Sequence, residues 1–472
     1  MLQSKLVELI RTFSYKQVNG FHKFLQSPYF NSSDDLLKFY EYIKQFAPNF
    51  KSKKLDRFVA FEKLYGKKYS DRKMAYLMND AISMIHEYFK IELLQDEKVL
   101  GASKLLEYYS ELGLEKHYKG IMRDARKEQE QLSKASAFFY NDFLLDKADY
   151  AVAAHMGQRT FEESLQSLID NLDLYYLAEK LRYSVEIASR QSVVTNAYEL
   201  KFIDEVRNYL KEKPNLNFPY IKINYEILMM YLEGENGEAH FTEVRRLLDK
   251  HKNDFTPAEM EAMYLFPANY CVGQINAGKT EYYQLLYDLY IEQLEAGFAN
   301  ASGYLSPFKF KNLVVLSLRL GRKQETLELF DKYIGLVEEK HKENSLNYNM
   351  AYYYFYMKDY DKVMDLLMQV EFSDVYYNAD AKMIQIKTYY ETQEYEALTY
   401  FLNAFKIFIK RNKQLPDDRK DLYLNFSLYV GRLMRVDKNT PEKAQKLLDK
   451  LTVAKGIPDK RWLLNKVEKF IK

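Results

Sequence analysis

Residues 348–367 read YNMAYYYFYMKDYDKVMDLL, and the fold turns on their spacing. Small Ala351 stands where two helices must approach closely, and Tyr354 fills an inner slot one turn later. Asp359-Tyr360 marks a turn, and Val363 opens the packing face of a second helix. Apolar side chains on both sides of the turn recur every three or four residues, the period of a helix with one buried face.

The pattern recurs in both directions. Downstream, Glu394-Tyr395-Glu396-Ala397 restates Asp359-Tyr360-Asp361-Lys362 within Lys382 to Leu402, and Tyr395 minus Tyr360 gives a period of 35. Upstream, Leu318 to Phe330 fits the same frame, with Val363 minus Leu327 giving 36. Weaker echoes lie at Tyr225 to Leu248, Tyr270 to Leu286 and Leu424 to Leu448. The unit resembles the tetratricopeptide repeat, whose period is about 34 residues. The resemblance implies that residues 216–472 form an irregular, tetratricopeptide-like α-solenoid of five or six hairpins. One such hairpin cannot bury its apolar face alone, so stacked neighbours supply the missing wall and leave a curved groove.

Helical spacing also governs the rest of the chain. Residues 1–100 read as an N-terminal bundle of short helices. Leu6, Leu9, Ile10 and Phe13 share one face, Val18, Phe21 and Leu25 the next, and Leu36, Phe39, Tyr40 and Ile43 a third. Ser14 and Gln17 have the spacing of a capping box. Pro28 and Pro48 end helices, and Gly66 suits a left-handed cap after a helix carrying Leu55, Phe58 and Val59. After Ser70 a longer helix turns Met74, Leu77, Met78, Ala81, Ile85 and Tyr88 inward. Residues 101–215 carry no proline before Pro214 and read as a connecting region of long helices, Phe161 to Val194 among them. The expected class is therefore all-α throughout. Phe21 to Phe30 (FHKFLQSPYF), Asn269 to Gly278 (NYCVGQINAG), Phe372 to Tyr390 and Phe401 to Arg411 resemble segments of large uncharacterised helical proteins of Bacteroidetes. That likeness implies architecture and source but no activity.

Composition agrees with helices and narrows the partners. Gly (16) and Pro (10) are scarce in 472 residues, against usual shares of roughly 7% and 5%, which argues against the many tight turns of a β fold. Lys and Arg (69) nearly balance Asp and Glu (67), so no overall field draws the chain to nucleic acid or anionic lipid. The single cysteine, Cys271, fits a small buried side chain in a reducing, cytoplasmic setting. The first residues are interrupted by Lys5, Glu8 and Arg11, unlike a signal peptide, and no apolar run approaches the roughly 20 residues that span a bilayer.

One literal motif stands out. Gly273, Gly278, Lys279 and Thr280 satisfy G-x-x-x-x-G-K-[ST], in which backbone amides cradle phosphates, the lysine reaches them and the threonine holds Mg²⁺. A phosphate loop needs a buried strand before it. Here Glu259 to Val272 reads as helix interrupted at Pro267, so the match is read as coincidental, with Gly278 capping one helix and Tyr282, Leu285, Leu286 and Leu289 lining the next. The seven histidines, His22, His86, His117, His155, His240, His251 and His341, lack the close pairing of a zinc site, so no metal or cofactor is expected. Lys406, Lys410 and Lys413, with Arg411, offer a basic stripe on one helix, which a solvated face explains without a ligand.

The expected function is a non-enzymatic scaffold that holds a peptide or protein in the repeat groove. Tyr348, Tyr352 and Tyr356 are the candidate partner contacts, since tyrosine joins a large apolar ring to a hydroxyl. An RNA-binding solenoid stacking bases on Tyr and Phe is the alternative, and the near-neutral charge weighs against it. A nucleotide-binding protein built on Gly273 to Thr280 is the third reading.

Overall fold

A computed structural model describes residues 1–66, 68–155, 163–191, 198–213, 218–301, 303–369, 375–436, 441–454 and 456–471. Residues 161–162, 192–194, 214 and 372–374, on which sequence expectations also rest, lie outside them. The described residues form twenty-three α-helices and three short 3₁₀ turns, with no β-strand among them. The protein is all-α. Among the described residues no helix is long and apolar enough to cross a membrane. The chain divides into two compact units, Met1–Lys180 and Leu181–Lys472.

The first unit opens with α1 (Lys5–Ile10), α2 (Tyr15–Gln26), α3 (Asp34–Lys44), α4 (Arg57–Tyr65) and α5 (Asp71–Asp96), which share one core. Each start is fixed by a side chain. Ser14 and Gln17 form the expected capping box on α2, while Ser33, Asp56 and Ser70 accept backbone N–H groups at the starts of α3, α4 and α5. Phe21 meets Tyr40 edge-on with ring centroids 4.8 Å apart, and the buried Tyr40 hydroxyl donates to the Val18 carbonyl at 2.9 Å. Each fully buried ring or aliphatic chain of this kind contributes about 1.5–3 kcal/mol. The expected faces of α2, α3 and α5 are buried, but that of α4 is rotated. Phe58 and Val59 are exposed and Ala60 and Phe61 point inward. Asp56 caps the helix through the Phe58 N–H at 2.8 Å, so Phe58 falls in the first turn and lies against the Tyr69 ring, 4.1 Å away, instead of entering the core.

The unit continues with α6 (Lys98–Glu111), α7 (Glu115–Gln129) and α8 (Ser136–His155), packed around Val99, Leu106, Tyr118, Ala125, Leu145 and Ala148. Helix α9 (Glu163–Gln191) begins in this unit and ends in the next.

The second unit adds α10 (Ile203–Glu212), then helices that pack in successive pairs, α11 (Pro219–Leu232) with α12 (Gly237–Lys250), α13 (Pro257–Asn276) with α14 (Tyr282–Glu295), α15 (Pro307–Arg319) with α16 (Lys323–Tyr333), α17 (Glu339–Met357) with α18 (Tyr360–Met368), and α19 (Val375–Glu391) with α20 (Tyr395–Arg411), while α15 also packs extensively on α17. Helices α21 (Asp417–Leu433), α22 (Pro441–Val453) and α23 (Lys460–Val467) close the chain. Helix α13 runs unbroken through Pro267, where the sequence suggests an interruption. Met263, Tyr264, Pro267, Ala268 and Cys271 are all buried, and that packing offsets the roughly 3 kcal/mol cost of an interior proline.

One backbone device reverses the chain repeatedly. At Gly113, Gly278, Gly297, Gly321, Lys358 and Gln393 the helix ends in a left-handed residue. The N–H of that residue bonds the carbonyl three back, and the next N–H bonds the carbonyl five back, as in a Schellman motif. Four of these turns are alike to the next residue as well. Leu114, Arg322, Asp359 and Glu394 have φ between −91° and −79° and ψ between 60° and 77°, the shape of an inverse γ-turn, and the following helix starts at once. So short a link folds the second helix back on the first.

The turn also sets the packing register. Seven residues before the left-handed position stand Leu106, Val314, Ala351 and Ile386, all at 0% exposure, and five after it stand Tyr118, Thr326, Val363 and Leu398, all buried. The turn at Gly113 places this device in the first unit too, ahead of the residues where the sequence period is visible.

Close approach explains Gly237. A Cβ on Gly237, at the start of α12, would lie 2.6 Å from the Met230 carbonyl and 2.8 Å from the Tyr270 hydroxyl, whereas one on Gly273 would meet nothing. Gly237→Ala should therefore destabilise by about 1–3 kcal/mol, and Gly273→Ala, inside α13, should stabilise by about 0.5–1 kcal/mol. Urea unfolding followed by circular dichroism measures both, and equal effects of the same sign would refute the close approach.

Candidate functional site

The literal phosphate-loop match lies at a helix reversal. Gly273 is inside α13, Gly278 is the left-handed cap at φ 98°, and the Lys279 ammonium sits 5.7 Å from the Tyr282 ring. Tyr282, Leu286 and Leu289 are buried on α14 and Leu285 is half-buried. The basic stripe is shorter than its spacing suggests. Helix α20 ends at Arg411, Asn412 turns extended, and Lys413 stands beyond the helix. Cys271 is fully buried, and that burial pushes its thiol up to about 12, so it supplies no thiolate at neutral pH. Among the described residues no three His, Cys, Asp or Glu side chains gather as a metal site would require.

The tyrosine trio lies on α17 at three different depths. Tyr348 is buried, its ring edge-on to Tyr377 at 4.7 Å. Tyr352 is half-buried, with the Lys387 ammonium 5.5 Å from its ring. Tyr356 is 40% exposed. The structure brings Tyr352, not Tyr356, to a polar cluster on the first helices of the hairpins.

That cluster centres on Asp459, in the turn before α23. Its carboxylate pairs with Lys387 of α19 at 2.6 Å and with Arg319 of α15 at 3.3 Å, and Arg319 donates to the Tyr283 hydroxyl at 2.9 Å. A second set lies beside it, in which Asp380 receives Lys311 at 2.7 Å and the Tyr423 hydroxyl at 3.0 Å. Lys387 is only 3% exposed, so its charge depends on this pairing. The first-helix face is thus met by the chain's own C-terminal turn.

The second helices carry an open groove. A cavity of about 520 Å³ lies between α14 and α16, with Arg245 of α12 at one edge. Pockets of this size suit several side chains or a small ligand. Ile291, Leu329, Tyr287 and Tyr333 give it apolar surface. Around them stand five carboxylates and three cations. Arg245 pairs with Glu292, Arg322 with Glu325 at 2.8 Å, and Lys332 with Glu295 at 3.5 Å. Asp288 accepts only from the Gln284 amide, at 2.6 Å, and no cation pairs with it or with Glu328 among the described residues. Sequence reasoning missed this groove, because its charges sit three and four residues apart like those of any solvated helix face. Its carboxylates outnumber its cations by two.

Two titrations follow from these contacts. Burial disfavours the charged form of Asp459, but Lys387 and Arg319 outweigh it and hold the carboxyl below its ordinary range. A depressed folded value means that this stabilisation is complete above an unfolded value near 4 and is lost as pH falls through the folded one. At neutral pH Asp459→Asn should cost about 3–5 kcal/mol by leaving Lys387 buried and unpaired. Lys387→Met should cost less, since Arg319 still holds Asp459. Urea unfolding distinguishes them, and a harmless Asn variant would refute the pairing.

His240 sits between Glu226 at 2.6 Å and Glu233 at 3.2 Å. Burial lowers its affinity for the proton, yet the two carboxylates raise it further, so its pKa is above the ordinary value. Its stabilisation is then full below about pH 6.5 and fades as pH rises through the folded value. His240→Gln should remove that slope from a plot of thermal midpoint against pH, and an unchanged slope would show that another group supplies it.

Comparison with known protein families, curated proteins and solved structures finds no match to this chain.

Proposed function

We propose that the protein is a non-enzymatic interaction scaffold of tetratricopeptide-like architecture, working in the cytoplasm, that holds a peptide or protein partner. The resemblance to the helical proteins of Bacteroidetes belongs to the same proposal. The observation that supports it best is the open groove of about 520 Å³ on α12, α14 and α16, whose ion pairs fix its walls before any ligand arrives. Preformed walls reduce the ordering cost of binding. The surplus of carboxylates there favours a protein partner over RNA, whose phosphates it repels.

The test is capture. Tagged full-length protein, used as bait in native lysate and analysed by mass spectrometry, should return the same protein in independent preparations. Folded bait that returns no protein above an untagged control would end the scaffold reading, and recovery of RNA alone would replace it.

A further inference from the structure

We propose that the groove between α14 and α16 receives a basic side chain, arginine or lysine, carried on a segment of the partner. The assignment rests on the scaffold reading and adds the chemistry of what is held.

Charge balance comes first. Each of the three cations in the groove already meets a carboxylate, whereas Asp288 on α14 and Glu328 on α16 stand without one. Carboxylates without a counter-ion beside apolar surface attract a cation more strongly than they would in open water. An incoming guanidinium or ammonium supplies that counter-charge.

The walls suit the rest of the side chain. Ile291 and Leu329 provide apolar surface for a methylene stem, which long basic side chains bury while the charged head stays near polar groups. The aromatic rings already serve cations of this chain: Arg322 lies 4.7 Å from the centre of Tyr287, and Lys332 lies 5.0 Å from that of Tyr333. Tyr333 is also 4% exposed, lines the groove, and carries a hydroxyl with no hydrogen-bond partner. A ring, a stem surface and surplus carboxylates are the elements that distinguish a recognition groove from a solvated acidic face.

The experiment uses full-length protein and three fluorescein-labelled, amidated probes: tetra-arginine, tetra-lysine and tetra-glutamate. Fluorescence anisotropy should show the two basic peptides binding and the acidic one not, with affinity falling as salt rises. The isosteric double variant Asp288→Asn/Glu328→Gln should weaken tetra-arginine binding by about tenfold or more, while Glu339→Gln on α17 should leave it unchanged. Neither Asp288 nor Glu328 holds an ion pair among the described residues, so the double variant should unfold at the wild-type temperature, and that measurement accompanies the titration. Equal binding of tetra-glutamate, or full tetra-arginine affinity in the folded double variant, would overturn the assignment. So would a partner captured equally by wild type and double variant, an outcome that leaves the scaffold reading intact.

Discussion

A left-handed residue followed by one residue in an inverse γ-turn is the constraint on which four of the hairpins depend. Such a link leaves no slack, so the returning helix must lie on the one just completed, and the side chains that meet are fixed by count from the turn. Leu106, Val314, Ala351 and Ile386 reach the interior because each stands seven residues before such a turn. Their sizes differ from leucine to alanine, so shape is adjusted locally while register is not. Lys358 and Gln393 accept the left-handed conformation without being glycine. That costs roughly 1–2 kcal/mol at each, an expense that only the packing of the reversed helices can offset.

The register also decides which side chains meet across the first helices. First helices α15, α17 and α19 bring Arg319, Tyr352 and Lys387 to one side, and the turn before α23 sets Asp459 against them. A buried lysine needs a carboxylate, and the chain supplies one from 72 residues away. A ligand approaching that side must displace an ion pair already made. Among the described residues α14 and α16 carry no such closure: their groove is open, and its own ion pairs line the space without filling it.

The all-α class and most helix faces were legible because burial at three- and four-residue spacing is a local property. The faces of α2, α3 and α5 follow from it directly, and the capping box at Ser14 follows from two residues three apart. The face of α4 was not legible, since a cap at Asp56 shifts it and no periodicity reports a shift that small. Neither was the continuity of α13 through Pro267, which depends on walls contributed by other helices. The left-handed turns at Lys358 and Gln393 carry no glycine to mark them and showed only through the acidic-tyrosine step that follows each. For the candidate site the aromatic stripe on α17 was visible, but its three depths were not. Tyr352 lies beside an ion pair whose members, Arg319 and Asp459, are 140 residues apart.

The groove shows why charge spacing alone conceals a site. Along α16, Glu325, Glu328 and Lys332 look like ordinary helix-surface charges, and on a lone helix they would pair weakly and contribute a few tenths of a kcal/mol. Across the gap, α14 presents Asp288, Glu292 and Glu295 to the same space. The cations Arg245, Arg322 and Lys332 then have five carboxylates to answer instead of three. Helix α14 brings three of those carboxylates and no cation of its own, and the stacking of the hairpins sets that face opposite the charges of α16. A surface designed only for solubility would relieve that repulsion by interspersing charges of both signs. Here it is retained beside Ile291, Leu329, Tyr287 and Tyr333, so an acidic surplus lies against apolar and aromatic surface.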